Sequence, residues 1–371
     1  MKGPIRILNM FTIMNRGGAE TMVMNYYRNI DRSKIQFDFL VHRSQRGAYD
    51  DEIEALGGKI YRMIPIYPKN FKAYQKMLEE FFKEHKEYKI IHSHMSELGY
   101  FAFAEAEKQG VKIRICHAHN APHGWDIKMI MRNRFKKKMM PHITHMFTCG
   151  EEAANWLYGK EHRKEFIHMN NAIDAQKFRY NPQKAASVRK SLGLMPNQLV
   201  VGHVGRFNKQ KNHTYLIEIF KEVVRLRSDA VLLLVGVGYL MERIKAQVEE
   251  NKLTDHVRFL GSRDDVNDLM QIFDVFLFPS LFEGFPVTMV EAQAGGNLCM
   301  ISKEQPKESA ITPNVRRISL QESPRDWAKK IVKEVTQYQK TDTYEMICKA
   351  GYDIHENVKK LEEFYCKAYE E

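Results

Sequence analysis

Cysteine is scarce in this 371-residue sequence, and its few copies are badly placed for cross-linking. Cys116, Cys149, Cys299, Cys348 and Cys366 are scattered, odd in number and never arranged as C-x-x-C. A disulfide framework and a thiolate zinc site are therefore not expected, and a reducing, cytoplasmic setting fits best. Long apolar runs are missing too. The longest clean one, Ala230 to Val237, suits a buried strand and falls well short of the roughly 18–20 residues that span a bilayer. The stretch from Ile5 to Met14 is interrupted by Asn9 and Thr12, with no small-residue cleavage site behind it, so it reads as a first strand rather than a secretion signal. A full G-x-G-x-x-G is absent, which argues against an ordinary dinucleotide dehydrogenase. D-x-D is also absent, and no clustered Asp or Cys joins the histidines, so no metal site is expected.

What is present is a soluble composition with enough apolar residues, 44%, to build two cores of ordinary size. Short apolar runs alternate with helical stretches, which predicts βα units around parallel sheets. Strands are expected at Ile5–Met10, Phe37–Val41, Lys59–Met63, Ile90–His92, Ile113–His117 and His145–Thr148. The same grammar restarts with strands at Val200–Val204, Ala230–Val235, Val257–Leu260, Val275–Phe278 and Cys299–Ile301. Asn181-Pro182 and Gly193-Leu194-Met195-Pro196 frame a linker over Phe178–Pro196. The expected division is a Rossmann-like domain at 1–180, a second at 181–352, and a C-terminal helix at 353–371 that packs back on the first. Two doubly wound α/β domains imply a central cleft, with ligands outside the carboxyl ends of the strands.

The net charge of +11 is unevenly spread: residues 1–180 hold a balance of +10 and residues 181–371 a balance of +1. A basic first half suits an anionic partner. Nucleic acid is not favoured, because no recognition motif or aromatic-interleaved basic groove accompanies the charge. Part of the excess lies between Trp125 and His142, where Lys128, Arg132, Arg134, Lys136, Lys137 and Lys138 face one acid, Asp126. Ile127, Met131, Phe135 and Met139 recur every four residues there, as on one helical face. A basic amphipathic helix of this kind lies on an anionic membrane surface, or is a solvated face of its own domain.

Chemistry concentrates in the second half. In Pro279-Ser280-Leu281-Phe282-Glu283-Gly284-Phe285-Pro286 a strand ends and a helix starts, with Pro286 tolerated in the first turn. Gly284 permits close backbone approach, and free amides at a helix start favour a phosphate. Glu283 is expected in the loop and Glu291 about two turns inside the helix, and eight residues at helical spacing span about 80° of rotation, which would turn both carboxylates toward one pocket. Carboxylates accept several hydrogen bonds from sugar hydroxyls. Gly205-Arg206-Phe207-Asn208-Lys209-Gln210-Lys211 follows another strand and offers a guanidinium fork and a point charge for a diphosphate, Lys209 competing with Lys211 for the second role. In the first half, Gly17-Gly18 stands between a strand and a helix, and His92-Ser93-His94 and His117-Ala118-His119-Asn120 each end an apolar run.

Together these pieces resemble the retaining glycosyltransferases of family four, which have the GT-B fold. The matching segments are G-G-A-E at Gly17–Glu20, G-R-F-x-x-x-K at Gly205–Lys211, V-R-F-L-G at Val257–Gly261 and P-S-x-x-E-G-F-P-x-x-x-x-E-A at Pro279–Ala292. His117-Ala118-His119-Asn120, and Ile301-Ser302 through Pro324-x-x-Trp327-Ala328, point to the exopolysaccharide and capsule branch. The pattern departs after Gly296, where Asn297-Leu298-Cys299-Met300 replaces the usual Gly-x-Pro-Val.

The resemblance implies a metal-independent enzyme with no cofactor. It would move a hexose or amino-hexose from a nucleoside diphosphate sugar, UDP- or GDP-linked, to a glycan or lipid-linked glycan in bacterial surface polysaccharide synthesis. Glu291 would bind the ribose hydroxyls, and Glu283 the transferred sugar beside the amides of Gly284 and Phe285. Arg206 and Lys211, with Gly205 beneath them, would hold the diphosphate. Arg258 to Gly261 would lie near the base, and Gly17 and Gly18 would admit the donor phosphate. His119 would stand near the sugar, with His117 as the alternative. The enzyme would be cytoplasmic, peripheral on the inner face of the membrane if Arg132, Arg134, Lys136, Lys137 and Lys138 meet lipid or acceptor. Two other readings predict different products. A nucleotide-sugar epimerase of the same architecture would act without acceptor, and a non-catalytic nucleotide-sugar-binding protein would release no nucleotide when acceptor is added.

Overall fold

The structure is a computed structural model that describes residues 3–121 and 128–370. The chain forms two units, Met1–Ala172 with Ile354–Glu371, and Ile173–Asp353.

The first unit is built on seven parallel strands: β1 Ile5–Phe11, β2 Ile35–Val41, β3 Ile60–Arg62, β4 Ile90–Ser93, β5 Ile113–Ala118, β6 His145–Thr148 and β7 Phe166–His168. Their order is β3-β2-β1-β4-β5-β6-β7, so the winding reverses between β1 and β4. β2 and β5 are buried along their whole length, as parallel strands covered on both faces must be. The one acid in β2, Asp38, is neutralised inside the core: Arg6 donates to both its oxygens at 2.6 and 2.5 Å, and Tyr88 and the Lys59 amide add 2.7 Å bonds.

The second unit repeats the plan with β8 Val200–Val204, β9 Val231–Val235, β10 Val257–Gly261, β11 Val275–Phe278, β12 Leu298–Ser302 and β13 Val315–Ile318. The order β10-β9-β8-β11-β12-β13 reverses between β8 and β11. Asn297, where the family pattern breaks, does not disturb β12. Its side-chain amide donates to the Ala292 carbonyl at 2.9 Å and its oxygen accepts from buried Lys340 at 2.7 Å.

The domain boundary expected at 180 lies at 172–173. The segment read as a linker, Phe178–Pro196, is folded onto the second sheet. Helix Pro182–Ser191 is capped by Asn181, whose side chain accepts from the Lys184 amide. Arg189 then forks onto Asp274 at 2.8 and 2.7 Å. The signals at Asn181-Pro182 and Gly193 mark the two ends of this helix instead of a free tether. The last helix, Ile354–Glu370, belongs to the first unit, where Tyr365 meets Phe37 edge-on and Phe364 packs against Phe147. Among the described residues, no helix is long and apolar enough to cross a membrane.

Candidate active site

At the reversal point of the second sheet, loops follow the carboxyl ends of β8 and β11. Ligands of doubly wound sheets are received there. The two loops are laced together: the Leu281 amide donates to the Gln210 carbonyl at 2.8 Å, and the Asn212 side chain donates to the Pro279 carbonyl at 3.1 Å. At their junction Lys211 Nζ lies 2.7 Å from Glu283 Oε1, with side-chain exposures of only 13% and 8%. Gln210 Nε2 donates to the other carboxylate oxygen at 2.9 Å. Lys211 also sits 4.4 Å from the centre of the Phe278 ring. Burial this deep lets the ion pair act in a weakly screened environment.

Two glycines make the junction possible. A Cβ on Gly205 would stand 3.0 Å from His203 Nε2 and 3.1 Å from the Lys211 stem. Gly236, after β9, has φ +132° and would put a Cβ 2.1 Å from the Gly205 carbonyl oxygen. Below the loops, His203 Nε2, both ring nitrogens of His213 and Ser280 Oγ are buried without hydrogen-bond partners. Buried polar atoms are rarely left so. Burial holds the His213 imidazole down at about 3, with Lys211 adding to the effect, so it adds no charge beside the lysine.

Helix Val287–Ala294 starts after Pro286 and carries Glu291 in its second turn. Glu283 is therefore outside the helix, and the eight-residue wheel does not relate the two carboxylates. The intervening loop does. Burial pushes the Glu291 carboxyl up to about 7 although the residue keeps partial exposure. Phe285 is buried and stacks on Tyr352 at 5.1 Å, which anchors the loop between the carboxylates.

The structure separates the other expected site residues. Arg206 is exposed on the β8 loop. Lys209 is exposed, its amide donating to the Tyr239 hydroxyl, whereas Lys211 reaches Glu283. Gly261 ends β10 at φ +66° with open space where a Cβ would stand. Arg258 does not join the group: its guanidinium donates to the Leu192 carbonyl, at the end of the helix leading into β8. Gln210 was not singled out in the sequence, since a glutamine between two lysines carries no signal without the loop pairing.

In the first unit, Gly17 caps helix Gly18–Asn29 with φ −110°, and a Cβ on Gly18 would meet nothing within 4 Å. His119 is buried at the end of β5, and burial holds it down at about 3. Trp125, Asp126 and Ile127 lie outside the described residues. Over helix Lys128–Met139 the apolar stripe does not persist: Phe135 and Met139 are buried, but Met131 is 40% exposed and Ile130 64%. Its cations divide. Arg132 pairs with Glu97 at 3.3 Å, Lys136 donates to the Trp156 carbonyl, and Lys138 lies over the Tyr100 ring. Arg134 and Lys137 are exposed.

Two doubly wound parallel sheets, each reversing its winding once, are the plan of the GT-B fold. Residues 185–352 match the family described as Glycosyl transferases group 1, and residues 16–177 match Glycosyltransferase Family 4. EpsF of Bacillus subtilis (strain 168), whose name places it among the glycosyltransferases, is 35% identical over 97% of this chain and 96% of its own. The capsular polysaccharide biosynthesis glycosyltransferase CapH of Staphylococcus aureus is 23% identical over 97% and 98%. Among solved structures, Anabaena HepE in complex with UDP and glucose superposes with a TM-score of 0.80 at 18% identity, covering 98% of this chain and 99% of that one. The chain belongs to the family 4 glycosyltransferases.

Proposed function

We propose that the enzyme transfers a hexose or amino-hexose, with retention at the anomeric carbon, from a nucleoside diphosphate sugar to a glycan or lipid-linked glycan in surface polysaccharide synthesis. The observation that carries this reading is the buried Lys211–Glu283 pair, shared with Gln210, at the sheet reversal. Donor arrival splits the pair's duties: phosphate oxygens turn to Lys211 and Arg206, and sugar hydroxyls turn to Glu283 and the amides of Gly284 and Phe285. Glu291 takes the ribose hydroxyls. The helix start at Gly17–Gly18 is the first unit's anion site, and His119 is its sugar-side group.

As the glycosidic bond breaks, its electron pair goes to the leaving phosphate oxygen. Lys211, Arg206 and the loop amides stabilise that charge. The acceptor hydroxyl attacks the same face, and its proton passes to the leaving phosphate. No resident metal enters this scheme. Support for the donor class comes from HepE, solved with UDP and glucose, and from an Escherichia coli galactosyltransferase named for UDP-Gal and a diphosphoundecaprenol acceptor, which is 30% identical over 58% of each chain. The test is product analysis by NMR with UDP- and GDP-sugars and a lipid-diphosphate glycan acceptor, with and without EDTA. A product of unchanged anomeric configuration in both is expected. An inverted product, an EDTA-abolished reaction, or an epimerised donor formed without acceptor would contradict the reading.

The exposed set Arg134, Lys137, Ile130 and Met131 is the part of helix Lys128–Met139 available to an anionic membrane. Vesicle flotation is expected to require anionic lipid, and the partition coefficient to drop about thirtyfold or more in Arg134→Glu/Lys137→Glu, about 1 kcal/mol being lost per basic residue near the surface. Equal flotation on neutral vesicles would remove the membrane role.

A further inference from the structure

The two histidine pairs of the first sheet form one block. Residues two apart on a strand share a face, and here the rings share it closely. His92 stacks on His94 at 4.5 Å between ring centres, and His117 on His119 at 4.2 Å. Across the strands the rings join edge to edge: His92 Nε2 lies 3.2 Å from His117 Nδ1, and His94 Nδ1 lies 2.8 Å from His119 Nε2. The result is two hydrogen-bonded rows laid one on the other, with Phe11 from β1 continuing the stack on His94 at 4.4 Å. The first row ends on the Tyr365 hydroxyl, 2.6 Å from His92 Nδ1. The second ends on Asn9, whose Oδ1 is 3.4 Å from His94 Nε2.

Nitrogens of His92, His94 and His117 lie within 4.8 Å of one another, which raises a metal site. The ring planes argue against it. A metal lies in the plane of every imidazole that binds it, and His92 and His94, stacked at 22°, have no common in-plane point between them. Burial holds all four imidazoles below their ordinary range, so the block is uncharged at neutral pH.

A neutral imidazole has one N–H and one lone pair, so a row of them has a direction. With the Asn9 amide oriented as it stands, Oδ1 toward His94 Nε2 at 3.4 Å, the proton of His94 sits on Nε2 and its Nδ1 accepts. His119 must then donate from Nε2. We infer that Asn9 and His94 are positioning residues that hold His119 with its proton on Nε2 and a lone pair on Nδ1, ready to accept a hydrogen bond from a sugar hydroxyl. This rests on the reading of His119 as the sugar-side residue given above. Asn9 Nδ2 is buried without a partner. The opposite amide orientation would exchange that orphan for another and reverse both protons.

The test is a long-range 15N–1H correlation spectrum of the histidine side chains in the full chain. The inference predicts a pyridine-type Nδ1 and a pyrrole-type Nε2 for both His94 and His119. In Asn9→Leu these two residues should average between forms. His92 and His117, wired through Tyr365, should keep their wild-type shifts and report an intact sheet. Turnover should fall at least about tenfold, as a wrong tautomer costs dearly elsewhere. A pyrrole-type Nδ1 on His119, an unaltered His119 in Asn9→Leu, or Zn2+ moving His92, His94 and His117 together would overturn the wiring. Full turnover in His119→Ala would instead overturn the reading of His119, and with it the role given to Asn9 and His94.

Discussion

Lys211→Ala is expected to lose both turnover and stability, and the two losses have separable causes. The lysine and Glu283 are both deeply buried, so removing one leaves an unpaired carboxylate inside the protein. Breaking such a pair costs about 3–5 kcal/mol, which in a unit of this size lowers Tm by roughly 6–20 °C. Turnover falls by about 10²–10³ because the leaving phosphate loses a preorganised cation. The double variant Lys211→Met/Glu283→Gln removes the stranded charge and is expected to regain most of the Tm, while turnover stays lost. Thermal melts and steady-state rates on the three proteins check this. Turnover that recovers with stability would show the pair to be structural only.

Glu291→Gln is expected to stabilise the unliganded enzyme above neutral pH and to weaken donor binding. Burial raises the folded carboxyl to about 7 from its ordinary 4.5, so protonation favours the fold. The stability linked to this proton is complete below pH 4.5 and disappears as pH rises through 7, a loss of roughly 3 kcal/mol. Glutamine keeps the shape without the charge, so the variant's advantage grows from nothing near pH 4.5 to its full size by pH 8. Donor binding runs the other way. Ribose hydroxyls donate to the ionised form, so wild-type affinity is expected to rise between pH 6 and 8. The variant should bind about 10–100-fold more weakly at pH 8, since a hydrogen bond to a charged group is worth about 1.5–3 kcal/mol, and show no pH slope. Calorimetry at several pH values reads both, and parallel slopes in the two proteins would contradict the assignment.

The sequence made the sheets legible because a parallel strand covered on both faces is a continuous apolar run. Val200–Val204 and Val275–Phe278 were read to the residue. The edge strands β7 and β13 were not read: Phe166–His168 is three residues long, and Val315–Ile318 carries Arg316 and Arg317. The candidate site was legible at the level of segments, since the glycines, cations and carboxylates fall at strand ends. Its pairing was not. Lys211 and Glu283 are 72 positions apart, and only the β8–β11 neighbour relation joins them. Nor was the contact of Arg258 legible: its guanidinium donates to the carbonyl of Leu192, 66 positions earlier. The helix at Lys128–Met139 failed as an amphipathic stripe because its four-residue spacing slowly rotates around a 3.6-residue turn, and only Phe135 and Met139 reach the core.

The central claim is that the segment from Glu283 to Glu291, joined to Lys211, is a donor site that reads both nucleotide and sugar. Calorimetric titration of a nucleoside diphosphate and its sugar conjugate into wild type and Glu283→Gln tests it most directly. The account predicts saturable binding of one nucleotide per chain, tighter for the conjugate in wild type, with that preference abolished in Glu283→Gln and the affinity for the bare diphosphate retained. Absence of nucleotide binding in wild type, or an undiminished preference for the conjugate in Glu283→Gln, would contradict it.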